Sequence, residues 1–214
     1  MINNNKFREE DKMERNIFEN ISPLDHRYSL RDDEFDAYQD YFSEEAKVKY
    51  QAKVEEVLVR TLAERGICSK EIADEVESAV SEIEAEEVYQ EEKKTKHNIR
   101  ALVNCIQEKV SEEAKPYVHF TTTSFDIVDT ANVLRLKEAT NGLLLPTLKS
   151  LEKKLIEIAE REKETVQIGR THGQAAVPIT FGFTIAEYVS RLGERIEAIA
   201  NSATKLRGKI SGAV

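Results

Sequence analysis

Apolar residues recur every three or four positions along most of this chain, the period of an amphipathic helix. From Ser43 onward Val48, Ala52, Val54, Leu58, Val59 and Leu62 form a broad stripe, and Gly66 ends it. Ser69 is placed to cap a second helix that carries Ile72, Ala73, Val76, Ala79, Val80 and Ile83. The charge-dense run 84–96 reads as a solvated helix face. A further stripe of Ile99, Leu102, Val103, Ile106 and Val110 begins just after Thr95-Lys96-His97-Asn98, and Pro116 breaks the pattern. Residues 1–22 have weak periodicity: Asn3-Asn4-Asn5 reads as frayed, with Ile17, Phe18 and Ile21 as anchors.

The second half has a longer rhythm. Residues 126 to about 163 predict one very long helical stretch, with a kink or short break at Asn141-Gly142 and Pro146. In it Leu144, Leu148, Leu151, Leu155 and Ile158 alternate spacings of four and three. Ile185, Val189, Leu192, Ile196, Ile199, Ala203 and Leu206 repeat that alternation, and Glu187 with Arg191 makes one i,i+4 ion pair. Such heptad seams pack lengthwise on other helices near +20°. Two of them bury little alone, so the pattern asks for more helices, from further sequence or from other subunits. No stretch reads as a strand, and there is no tandem repeat. The expected fold is all-α: a small helical N-terminal domain over residues 1–118, then the first long helices of a central helical bundle over 119–214.

Composition narrows the function classes. A length of 214 residues is enough for a real core without staples, and 33% charged residues with few Gly and Pro suit a soluble helical protein. The net charge of −9 argues against a nucleic-acid-binding face, while leaving room for a local basic pocket for an anionic metabolite. Cys68 and Cys105 lie in no metal-ligand spacing and read as reduced thiols of a cytoplasmic protein. A polar, charged start predicts no signal peptide, and no apolar run of about 18 residues predicts a membrane span.

Four polar clusters carry candidate chemistry. Gln167-Ile168-Gly169-Arg170-Thr171-His172-Gly173-Gln174 reads as a short Gly-flanked loop between helices, a rigid setting for a functional His172 or simply an exposed turn. Ser22-Pro23-Leu24-Asp25-His26-Arg27-Tyr28-Ser29 reads as a loop in which Arg27 beside Tyr28 suits a phosphate or carboxylate, or is an incidental surface Arg. Lys96, His97 and Asn98 stand at a helix N-terminus, whose free N–H groups favour an anion; a capped surface helix is the plainer reading. In His119-Phe120-Thr121-Thr122-Thr123-Ser124-Phe125-Asp126, Thr123 and Asp126 fit a capping box, and the hydroxyls with nearby N–H groups could also grip a carboxylate or phosphate.

Taken in order, these clusters resemble the adenylosuccinate lyase branch of the fumarase/aspartase superfamily, from about Ser22 to the end of the chain. The likeness rests on Pro23 to Ser29, Lys96-His97-Asn98, His119 to Ala131 and Gly169 to Gln174. The last of these loops is shared with neighbouring lyases, while Arg27-Tyr28 points to this branch. The resemblance implies an all-α homotetramer, with each active site built from three subunits. It implies elimination of fumarate from adenylosuccinate to give AMP, and from the succinyl-carboxamide imidazole ribotide, in purine biosynthesis. His172 matches the family's general acid. Arg27 and Tyr28 match nucleotide contacts, Lys96, His97 and Asn98 a second substrate-binding group, and Thr123 and Ser124 hydroxyls near the succinyl end. No metal or other cofactor, nucleic acid or membrane is implied. Asn98 stands where the family has Asp, and Phe125 where it has a small polar residue. The family's base, a Ser on a mobile loop, and its third domain fall beyond residue 214, so the expectation is an N-terminal portion, inactive by itself. Argininosuccinate lyase and a non-catalytic helical oligomerisation protein are the alternative readings.

Overall fold

A computed structural model describes residues 36–212. The described residues form two compact units: those up to Ala131 together with the short segment that starts at Lys209, and Asn132–Gly208.

The first unit begins with α1 (Asp36–Phe42), α2 (Glu44–Glu64), α3 (Lys70–Ser81), α4 (Ala85–Thr95) and α5 (Asn98–Glu108). Local chemistry sets these bounds. The Ser43 hydroxyl accepts the Ala46 N–H at 3.0 Å, and that of Ser69 accepts the Ile72 N–H at 3.4 Å. Gly66 takes φ +71° just past α2, a conformation open to glycine without cost. A capping box of Glu84 and Glu87 starts α4, which buries Ala85 and Val88, exposes Glu86, Lys93 and Lys94, and leaves Glu87, Glu91 and Glu92 partly covered. Pro116 sits in a 3₁₀ turn, Lys115–Tyr117, and α6 (Ser124–Ala139) follows. Helices α2 with α3, and α4 with α5, pack in pairs around one core. Val59, Val76, Leu102 and Ile106 are fully sealed in it, each contributing about 1.5–3 kcal/mol by leaving water.

The second unit opens within α6. The expected break is a π turn at Thr140–Leu144, which contains Asn141-Gly142. Pro146 lies in the first turn of α7 (Leu145–Arg161), directly after the π turn, and offers no N–H to the carbonyls of that turn. Helix α8 (Phe181–Lys205) lies along α7. Its seam is only partly covered: Ile196 and Ala203 are buried, whereas Leu151 and Ile156 of α7 stay half exposed.

Between α7 and α8 the structure corrects the reading of residues 167–174 as a loop without strands. An antiparallel hairpin forms there, β1 (Val166–Thr171) and β2 (Gln174–Thr180), with Val166 opposite Thr180 and Thr171 opposite Gln174. His172 and Gly173 both take positive φ, +50° and +72°, as a two-residue primed turn requires. His-Gly is a weaker turn signal than Asn-Gly, and Pro178 within β2 argues against a strand. With two strands both are edges, and Pro is tolerated.

Candidate active site

Four non-glycine residues among those described hold positive φ: Lys96 (+56°), His119 (+62°), Thr121 (+59°) and His172 (+50°). All fall within the polar clusters singled out from the sequence. Such backbone conformations cost about 1–3 kcal/mol each and persist where the surroundings impose them.

In the first unit the chain brings two of the clusters together. Lys96 closes α4, its N–H donating to Glu92 O at 2.8 Å. His97 caps α5: its Nδ1 accepts the Arg100 N–H at 3.1 Å. An accepting Nδ1 is bare, so the neutral ring carries its proton on Nε2. That atom lies 3.2 Å from Ser124 Oγ and donates to it. The loss of a carboxylate at Asn98 therefore does not leave His97 unheld. Asn98 Oδ1 accepts the Ile99 N–H at 2.8 Å, while the start of α5 and Ser124 fix the imidazole. Thr123 donates its N–H to Asp126 Oδ2 at 3.0 Å, the carboxylate half of the expected capping box.

Asp126 does more than cap. It is fully buried, and its carboxylate also accepts the Ser211 N–H (3.0 Å), the Ser211 hydroxyl (3.2 Å) and the Gly212 N–H (2.9 Å). The Lys209 ammonium lies 3.6 Å away. The backbone N–H groups of Ser211 and Thr123 lead in holding this carboxyl well below the usual Asp range, against the opposing effect of burial. Thr130 ties the same strap, accepting the Lys209 N–H at 3.0 Å and donating to its carbonyl at 2.9 Å. One residue of the His119 cluster has a partner that sequence inspection passed over. Glu55, wholly buried in α2, accepts the His119 N–H at 2.9 Å and meets its Nδ1 at 2.7 Å. The signal was present: Glu55 interrupts the apolar rhythm Val48, Ala52, Val59, Leu62 at a position that faces the core.

In the second unit His172 stands exposed at the hairpin tip. Three features hold the hairpin. The Gln167 amide donates to the Thr184 hydroxyl of α8. Gly169 sits at a register shift, where a Cβ would lie 2.8 Å from Val177 O. Phe181 N–H donates to Thr165 O at 2.8 Å, and Gly182 N–H to Glu162 O at 3.0 Å. Arg27 and Tyr28 lie outside the described residues.

A family described as lyase matches residues 27–214, nearly the whole chain, with three of the four clusters complete and Arg27 to Ser29 of the other. The chain belongs to this lyase family. It is 35% identical over 197 residues to the adenylosuccinate lyase of Methanocaldococcus jannaschii, covering 91% of this chain and 41% of that protein. It is 32% identical over 176 residues to N-acetyl-S-(2-succino)cysteine lyase of Enterococcus italicus, covering 81% of this chain and 38% of that one. Among solved structures it resembles a fumarate lyase from Mesorhizobium sp. BNC1, with a TM-score of 0.76 and 27% identity over 83% of this chain and 42% of that one. This lyase-family chain thus spans about two fifths of the length of its relatives. Among the described residues no helix is long and apolar enough to cross a membrane, and no three His, Cys, Asp or Glu side chains are grouped to hold a metal ion.

Proposed function

We propose that this chain is the N-terminal portion of a cytoplasmic lyase of purine biosynthesis, which eliminates fumarate from adenylosuccinate to give AMP and from the succinyl-carboxamide imidazole ribotide. The observation that carries this reading is the 35% identity to an adenylosuccinate lyase across 91% of the chain. The division at residue 118 into an N-terminal domain and the start of a central bundle belongs to the same proposal.

The chemistry is a general acid/base β-elimination. A base removes a proton beside a carboxylate, and an acid protonates the departing nitrogen. His172, at the hairpin tip, is the acid: its imidazole gives a ring proton to the departing nitrogen. The hairpin's ties to α7 and α8 support that role, because a proton donor must be held in place. Lys96, His97 and Asn98 bind substrate at the start of α5, and Ser124, already joined to His97, lies with Thr123 near the succinyl end. Arg27 and Tyr28 hold the nucleotide. The base comes from sequence that the relatives carry beyond the matched region. Half-exposed apolar residues such as Leu151, Ile156 and Tyr188 support a homotetramer whose bundle covers them.

Ultraviolet absorbance of adenylosuccinate cleavage tests this. The chain is assayed alone and fused to the remaining part of the M. jannaschii enzyme. The fusion is expected to turn over and the chain alone is not. His172→Ala in the fusion should lose about 10²–10⁴-fold with unchanged helical circular dichroism. A second reading, favoured by the E. italicus relative, is a lyase for a sulfur-linked succinyl group. A fusion that cleaves N-acetyl-S-(2-succino)cysteine and leaves adenylosuccinate intact would establish it instead.

A further inference from the structure

The core of the first unit contains a carboxylate that neither its fold nor the proposed roles require. Glu55 is 0% exposed, on a face of α2 that packs mostly apolar side chains, with buried Gln51 one turn before it. An apolar residue would fill the place without the several kcal/mol that desolvating a charge costs. Its neighbour Glu56 is also buried, but Lys53 answers its charge at 2.6 Å. Glu55 has no Lys or Arg partner among the described residues. Both of its oxygens go to one residue 64 positions away: Oε2 takes the His119 backbone N–H at 2.9 Å, and Oε1 meets the ring Nδ1 at 2.7 Å. Backbone and ring of His119 are thus clamped by one carboxylate, and this is the residue held at φ +62°. Thr122 Oγ1, 3.1 Å from Nδ1, donates to the His119 carbonyl at 3.3 Å and braces the same turn.

A carboxylate against Nδ1 makes that nitrogen the donor, so Nε2 is the atom the ring has left for chemistry. No described residue bonds to Nε2. The turn that carries His119 runs directly to Ser124, the partner of His97. The two described histidines of this unit are therefore held in opposite senses. His97 accepts through Nδ1 and spends Nε2–H on Ser124, whereas His119 commits Nδ1–H to Glu55 and keeps Nε2 unspent.

We propose that Glu55 is a positioning residue of the lyase site, which locks His119 on its left-handed turn as the Nδ1–H form and so presents Nε2 to an anionic oxygen of the substrate. This rests on the lyase reading above. A carboxylate suits this place because both of its oxygens accept, whereas an amide held the same way would set its NH2 against either the backbone N–H or the ring Nδ1–H.

The experiment is NMR of the 214-residue chain with isotope-labelled histidine, its four imidazoles assigned by single His→Gln variants. Neutral His119 is expected to carry its proton on Nδ1, and neutral His97 on Nε2. Glu55→Gln should abolish the Nδ1–H signature of His119 while leaving His97 and the helical circular dichroism as they were. Glu56→Gln, the neighbouring buried carboxylate, should change neither. An Nε2–H signature on His119 in the wild-type chain overturns the proposal outright, whether or not Glu55→Gln folds. An unchanged His119 signature in Glu55→Gln does the same. In the fusion, Glu55→Gln should lower kcat/KM about 10²-fold, the scale of a misplaced site group; wild-type kcat and KM would overturn the positioning role. Because the NMR arm reads no turnover, a correct signature in a fusion that cleaves no succinyl substrate would sink the lyase reading, and the failures stay distinguishable.

Discussion

Gly182 is the position at which a single methyl group should separate packing from propensity. It opens α8 against the end of α7, at the base of the hairpin that carries His172. A Cβ there would lie 2.4 Å from Ala159 O, 2.6 Å from Lys163 Cα and 2.7 Å from Lys163 N. Carbon atoms rest about 3.5–4.0 Å apart, so the start of α8 has to withdraw by about 1 Å. All three obstacles are backbone atoms, and no rotamer change relieves them. Gly182→Ala should therefore cost about 3 kcal/mol, the upper end of the usual overpacking penalty. The same displacement, carried to the hairpin, should lower turnover of the fusion about 10²-fold. Gly193, inside α8, is the control. Its added Cβ would meet only Glu152 Oε1, at 2.7 Å, the end of a flexible side chain. Replacing a helix-interior glycine by alanine gains up to about 1 kcal/mol, so Gly193→Ala should be neutral or stabilising. Urea unfolding followed by circular dichroism compares the midpoints, with the slope checked for constancy. A Gly182→Ala midpoint at or above wild type, or a Gly193→Ala midpoint that falls equally far, would refute the reasoning.

Asp126 makes stability depend on pH with a definite sign. Folding lowers its pKa, so its contribution is complete above the ordinary Asp value of about 3.9 and is lost as pH falls from there toward the lower folded value. Hydrogen-exchange protection of the Ser211 and Gly212 amides should fall over that acid range and be weak at every pH in Asp126→Asn; protection indifferent to both changes would disprove the strap. His97→Ala should lose a helix cap worth about 1 kcal/mol. His97→Asn should restore the cap and the melting temperature without restoring fusion activity, and recovery of both would mean that His97 serves only as a cap. Cys105 is 5% exposed, and its thiol is pushed up to about 11, mainly by burial and further by the carboxylates of Glu87, Glu108 and Glu91. A thiol reagent at pH 8 should modify the partly exposed Cys68 first and Cys105 only on unfolding, a sequence that mass spectrometry of the labelled peptides would read.

The sequence alone determined the helices and their ends, because the signals act within three or four residues. Ser43 and Ser69 reach N–H groups three positions on, Gly66 ends α2, and Asn141-Gly142 marks the π turn. The positive-φ non-glycine residues among those described all fall inside polar clusters that the sequence singles out. The hairpin around His172 was less legible, because a two-stranded ribbon tolerates a Pro that the strand pattern forbids. Tertiary structure alone decided the partners of the buried carboxylates. Glu55 meets His119 across 64 positions, and Asp126 meets Ser211 across 85. A local pattern shows that a charge falls on a core face. Which group satisfies it depends on which distant segments the packing of apolar stripes brings alongside, and burial then enforces the pairing because an unpaired charge there costs several kcal/mol.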